Sequence, residues 1–200
     1  MINPKSFYDH LKSHSDFITG VPDSLLKDFN ACVLNEHPKN KHIIAPNEGT
    51  SIGLAIGNYI STGKVPTVYM QNSGIGNAVN PLMSLADKDV YGVPILVIIG
   101  WRGEPGVKDE PQHFKQGLIQ EELLKAMQLD YRILDSENQH WPSLLDDLYS
   151  SAVKDQCPKV LLVKKGTFDS YKSSAGDQLE LDSRESAINT VIDGLGKDSI

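Results

Sequence analysis

The sequence predicts an α/β fold: a doubly wound, mostly parallel six-stranded sheet with helices on both faces. Three observations carry this. Apolar runs of strand length alternate with helical patterns through residues 4–164, joined mostly by short connections. The clearest run, Val93-Pro94-Ile95-Leu96-Val97-Ile98-Ile99-Gly100, is apolar on both faces, as a central parallel strand requires. Turn residues such as Gly20-Val21-Pro22, Pro46-Asn47 and Asn72-Ser73-Gly74 stand between strand and helix patterns.

Each element has its own warrant. Residues 4–14 form a short amphipathic pattern, and residues 16–22 read as a strand ending in a turn. Asp23 or Ser24 can cap a helix to about His37, with Leu25, Leu26, Phe29 and Val33 at helical spacing. A second strand spans about 41–45, and a small-residue helix about 48–62. The third strand covers 65–71, and a Gly-rich turn at 72–77 leads into a helix to about Val90. The fourth strand covers 93–100, and a polar loop with Pro105 and Pro111 runs from Arg102 to Gly117. That loop is long for a βα connection, and long loops are commonly functional or mobile. A helix over 118–129, a strand at 131–134, a helix over 141–155 and a strand at 159–164 complete the domain.

These elements define a domain over 1–168. Residues 169–182, including Ser173-Ser174-Ala175-Gly176, read as a linker. Ser183 to Ser186 then resembles a capping arrangement. Ala187, Ile188, Val191, Ile192 and Leu195 share one face of the helix that follows. A lone amphipathic helix has no core of its own. It reads as the first element, 183–200, of a second domain not included in these 200 residues; the other reading docks it on the first domain.

Composition narrows the function. Forty per cent of residues are hydrophobic, 22% are charged, and the net charge is −7, so neither nucleic acid nor a membrane surface is an expected partner. No apolar stretch reaches the roughly 18–20 residues of a membrane span, and the N-terminus lacks a signal-peptide core. Cys32 and Cys157 are far apart and outside any CxxC pattern, which points to a reduced, cytoplasmic setting without a zinc site or disulfide framework.

Glu48 is the leading chemical candidate. It sits where the second strand gives way to a helix, the sheet edge at which open α/β folds bind ligands. Its plain reading is a helix-start carboxylate facing the positive end of the dipole, worth about a few tenths of a kcal/mol. Against that, the helix behind it is rich in small residues, so another surface can approach closely. The turns at 72–77 and 102–117 fall at the same edge. Ser73, Gly74 and Asn77 lie in the first of these. Its Gly-x-Gly is a weak dinucleotide signal without a third glycine, and a tight turn is the better reading. In the second, His113 offers proton transfer near neutral pH beside Gln112; the plain reading is a solvated loop. Arg102, Lys108 and Lys115 could meet an anion, although Glu104, Asp109 and Glu110 nearly balance them. Asp23 and Ser24 serve equally as caps or as site residues. His10, His14, His37, His42 and His140 show no partner pattern and read as structural, and no cluster reads as a set of metal ligands.

Taken in order, Gly20-Val21-Pro22-Asp23-Ser24-Leu25-Leu26, Pro46-Asn47-Glu48-Gly49, Gln71-Asn72-Ser73-Gly74-Ile75-Gly76-Asn77, Gly92-Val93-Pro94 and Asp109-Glu110-Pro111-Gln112-His113 resemble the aminopyrimidine-binding (PYR) domain of thiamine-diphosphate-dependent decarboxylases. The likeness covers about residues 5–168. Members acting on phosphonopyruvate come first, and the α subunit of those acting on sulfopyruvate next.

The resemblance implies a lyase that converts 3-phosphonopyruvate to phosphonoacetaldehyde and CO2 in phosphonate biosynthesis. It implies that Glu48 hydrogen-bonds N1′ of the cofactor's aminopyrimidine, with Pro22, Ser73, Gly74 and Asn77 around the ring. His113 and Gln112 would steer protonation of the product. Asp23, Ser24 and one of Arg102, Lys108 or Lys115 would face the substrate. The Gly-Asp-Gly of the family's diphosphate-binding (PP) domain is absent from this sequence. Thiamine diphosphate and Mg2+ would therefore be completed by a PP domain of the same or another chain, in a dimer or larger homo-oligomer, and this chain alone would be inactive. A sulfopyruvate decarboxylase α subunit and a non-catalytic nucleotide-binding α/β module are the other readings.

Overall fold

A computed structural model describes residues 1–172 and 184–194. Six strands form one all-parallel sheet in the order β2-β1-β3-β4-β6-β5. They are β1 (Ile18–Gly20), β2 (His42–Ile44), β3 (Thr67–Gln71), β4 (Leu96–Gly100), β5 (Tyr131–Leu134) and β6 (Lys159–Val163). Strand order reverses between β1 and β3, which opens a crevice at their carboxyl ends.

Helices cover both faces, each over its own core. The period of two sends Tyr69, Leu96, Ile98, Leu161 and Val163 to one face. There they meet α1 (Pro4–His14), α2 (Lys27–Glu36) and α7 (Trp141–Asp155). Val68, Met70, Val97, Ile99, Val160 and Leu162 turn to the other, against α3 (Glu48–Thr62) and α4 (Ile75–Pro81). All eleven of these strand residues are buried, which explains why the sequence shows apolar runs rather than alternation.

Several expected boundaries move, each for a local reason. The third and fourth strands begin after Pro66 and Pro94, because proline cannot donate to a ladder. The helix after the Gly-rich turn is not continuous to Val90. A 3-10 turn at Asn72–Gly74 precedes α4, and a π-helical turn at Leu82–Ala86 follows its Pro81. The second helix starts at Lys27 behind Leu26, with no side-chain cap from Asp23 or Ser24. The 102–117 segment is not all loop, since α5 (Pro111–Leu118) occupies its second half and α6 (Gln120–Ala126) follows. Pro111 at the first helical position presets the backbone for α5.

At the carboxyl end, the first residues of the expected linker bond back to the amino terminus and α2. The Asp169 amide donates to the Ile2 carbonyl at 2.9 Å. The Tyr171 amide donates to Asp28 at 3.0 Å, and its hydroxyl donates to Glu36 at 2.9 Å. The rest of the expected linker and the Ser183 cap lie outside the described residues. A last helix, α8 (Arg184–Gly194), leaves Ile188 and Ile192 47% and 58% exposed. No helix among the described residues is long and apolar enough to cross a membrane.

Candidate active site

Four strand ends deliver the site residues to one edge: Asp23 and Ser24 after β1, Glu48 after β2, residues 72–77 after β3, and Arg102 after β4. At α3 the cap forms as its sequence allows. Asn47 accepts from the Thr50 amide at 2.8 Å, which leaves Glu48 as the first helical residue.

The Glu48 side chain does not simply face its own dipole. It crosses to the β3–α4 turn, where Asn77 Nδ2 donates to Oε2 at 2.8 Å. Oε1 lies against Gly74, where an added Cβ would come within 2.3 Å of it. The glycine in this turn therefore makes room for a carboxylate. A turn filled by a negative charge cannot cradle a phosphate, and that argues against a dinucleotide loop.

Asp23 is buried at 4% exposure, and neither carboxylate oxygen has a hydrogen-bond partner. Burial pushes its pKa up; the nearby Leu25 amide and the Arg102 charge oppose the shift without cancelling it. Ser24 accepts from Arg102 Nη1 at 2.6 Å. The Arg102 guanidinium also grips Asp109, with Nε 2.8 Å from Oδ2. That hydrogen bond and charge hold the Asp109 carboxyl well below the usual range. The Arg102 backbone is fixed too: its amide donates to Asn72 Oδ1 at 3.1 Å, and its carbonyl accepts from Asn72 Nδ2 at 2.8 Å.

Gln112 and His113 sit in the first turn of α5, not in a loop. Gly103, at φ +69, brings the β4 loop so close to this helix that a Cβ would meet the His113 carbonyl at 2.1 Å. Gln71 Nε2 bridges Ser73 Oγ at 2.5 Å and His113 Nδ1 at 3.5 Å. The imidazole is thereby tied to the Glu48 side of the crevice. Gln112 is exposed on the helix, and Pro22 is exposed beyond β1.

Of the three loop cations, only Arg102 lines the adjoining cavity of about 500 Å3. Lys108 and Lys115 are exposed and do not line it. Lys27 and Lys165 line the same cavity, together with Ser24 and the acids Asp28 and Asp109. Sequence reasoning missed both lysines. Lys27 follows a predicted cap, and Lys165 lies just past a strand end whose polarity was readable.

Two histidines read as unpartnered in the sequence do have a common partner. His10 and His14 of α1 place Nε2 2.8 and 2.7 Å from Asp146 Oδ1 on α7.

The sequence and the fold both have known relatives. The family described as "Thiamine pyrophosphate enzyme, N-terminal TPP binding domain" matches residues 5–129. The phosphonopyruvate decarboxylase of Streptomyces viridochromogenes is 33% identical over 134 residues, covering 67% of this chain and 31% of that protein. The sulfopyruvate decarboxylase subunit alpha of Methanococcus maripaludis is 36% identical over 121 residues, covering 60% of this chain and 70% of that subunit. The chain thus spans about a third of the Streptomyces protein and most of the archaeal subunit. Among solved structures, benzoylformate decarboxylase from Polynucleobacter necessarius superposes with a TM-score of 0.60 at 17% identity, over 91% of this chain and 33% of that one. At that identity the likeness speaks for the fold alone. With the matched segment spanning every strand end of the crevice, the chain belongs to the thiamine pyrophosphate enzyme family and carries its N-terminal TPP binding domain.

Proposed function

We propose that this chain is the pyrimidine-binding half of a thiamine-diphosphate-dependent decarboxylase that converts 3-phosphonopyruvate to phosphonoacetaldehyde and CO2. One observation carries the reading: Glu48 stands at the crevice with Oε2 held by Asn77 and Oε1 lodged where Gly74 leaves space. A positioned carboxylate with one oxygen still available suits a ring nitrogen that must share a proton. The residues present therefore fit the pyrimidine end of the cofactor. When bound, thiamine diphosphate supplies the electron sink for loss of CO2.

The chain's own residues supply position and protons. Asn77 fixes the Glu48 rotamer, so the carboxylate meets its partner without reorganising. Asp23, its pKa raised by burial, holds a proton longer than a solvated acid would and can pass it to a substrate atom across the crevice. Gln71 orients His113 for a second transfer. Lys27 and Lys165 offer positive charge to a doubly charged substrate tail in the neighbouring cavity, where Asp109 already pairs with Arg102. The diphosphate and Mg2+, which need hard oxygen ligands, are assigned to a PP domain, as the resemblance implies.

That PP domain belongs to the same or a partner chain in a homo-oligomer. The outer face of α3 supports a partner: Thr50, Gly53, Leu54 and Gly57 line an open groove, and Ile60 is 67% exposed. The exposed Ile188 and Ile192 support reading α8 as part of a further domain.

A second reading, the α subunit of a sulfopyruvate decarboxylase, is favoured by the 70% coverage of that subunit. One assay separates the two: CO2 release from phosphonopyruvate, sulfopyruvate and pyruvate by the enzyme with both halves, thiamine diphosphate and Mg2+. Preference for phosphonopyruvate is expected, and it should collapse toward pyruvate in Lys165→Ala. Preference for sulfopyruvate would establish the second reading.

A further inference from the structure

We propose that His10, His14 and Asp146 form a binding site for one divalent transition ion of the zinc class. The site lies away from Glu48, toward the amino-terminal edge of the sheet, where Tyr149 bonds Thr67, the first residue of β3.

The donors converge by construction of the fold. His10 and His14 are four residues apart on α1, so their rings project from one helix face. Asp146 reaches them from α7, which packs beside α1. The two Nε2 atoms and the carboxylate oxygen all lie within 4.8 Å of one another. A tetrahedral zinc shell separates neighbouring ligand atoms by about 3.3 Å. The 2.7 and 2.8 Å contacts to Asp146 Oδ1 need open only slightly to admit the ion. Asp146 is 48% exposed and free to make that shift.

The rings are already oriented. His14 stacks on Tyr149 at 4.7 Å with a 10° interplanar angle, and the buried Tyr149 hydroxyl is held by Thr67 at 2.6 Å. His10 meets the Trp141 ring edge-on at 5.5 Å. Side chains fixed by packing lose little freedom on binding, which is the usual merit of a built site. The histidines are 28% and 29% exposed, so an ion can enter while one coordination position stays open to water.

The donor set selects the ion. Two imidazoles and a carboxylate suit zinc, cobalt or nickel, whereas Mg2+ and Ca2+ need an all-oxygen shell. In the metal form each ring presents a bare Nε2 and keeps its proton on Nδ1. The ion then replaces two N–H donors around the Asp146 carboxylate and clasps α1 to α7.

Zinc chloride titrated calorimetrically into the chelator-treated 200-residue chain tests this. One ion per chain is expected, with a rise in Tm and no competition from excess Mg2+. Cobalt in place of zinc should give the intense visible bands of tetrahedral coordination. In His10→Gln/His14→Gln the affinity should fall by at least about tenfold and the zinc-dependent Tm shift should vanish. Asp146→Ala, a change at a half-exposed position that the fold tolerates, should weaken binding as well. No uptake by the wild-type chain, or undiminished uptake in both variants, overturns the proposal.

Discussion

The two edges of the sheet treat their charged and polar groups differently. At the amino-terminal edge, Lys159 and Asp16 are both paired. Lys159 opens β6 at 2% exposure and reaches both Asp130 and Asp155 at 2.6 Å. Burial alone would lower its pKa, but the two carboxylates together raise it. Asp16, just before β1, receives Lys41 and Lys64. At the carboxyl-terminal edge Asp23 is buried with both oxygens unpartnered, and nearby Asn30 Oδ1 is another orphan. Glu48 has one oxygen held and one lodged in a glycine gap. Satisfied groups stabilise a fold, whereas orphans cost stability and persist where a ligand will use them.

Substitutions at the two edges should therefore differ in kind. The largest effect on stability belongs to the amino edge. Asp130→Asn with Asp155→Asn removes both negative charges facing the buried Lys159 ammonium and leaves it only neutral acceptors, and should lower the urea midpoint. Lys159→Met, which removes the charge as well, should cost much less. A large loss in Lys159→Met and none in the double variant would break the comparison.

At the carboxyl edge the damage should be to turnover. Gly74→Ala drives a methyl into the Glu48 carboxylate and should cut kcat about a hundredfold while shifting Tm little. An unchanged kcat would mean that the Glu48 position is not exacting.

Asp23→Asn is a smaller effect and the sharpest, because its two outcomes have opposite signs. The folded chain holds the Asp23 proton more tightly than the unfolded chain does. Stability therefore falls as pH rises from the ordinary carboxylate range through Asp23's raised value. The variant should remove that loss and stabilise the fold at neutral pH by about 1–3 kcal/mol, while activity declines. Denaturant midpoints across pH 4–8 measure the first part (a range set by about the carboxylate-to-neutral window).

The elements that carry this contrast were legible in the sequence, though unevenly. The α3 and α7 boundaries and the position of Glu48 were legible, because caps, prolines and apolar spacing agree there. The inner strands were legible by their apolar runs, but their starts were not, since Pro66 and Pro94 look apolar while withholding a ladder donor. The α5 helix hid in a polar segment whose one clear signal was Pro111. What sequence could not carry was contact across elements. Asn77 holding Glu48, Gln71 bridging to His113, and Asp146 meeting His10 and His14 all join residues at least 29 positions apart. Lys27 and Lys165 reached the cavity wall by the same kind of long-range placement.

Under the proposed function, Glu48 shares a proton with the pyrimidine of thiamine diphosphate. Hydrogen–deuterium exchange at C2 of the bound cofactor tests it most directly, in the enzyme with both halves, comparing wild type with Glu48→Gln. The account predicts that exchange and CO2 release both fall by about a hundredfold or more in the variant. Exchange at the wild-type rate in Glu48→Gln, with the cofactor bound, would contradict it.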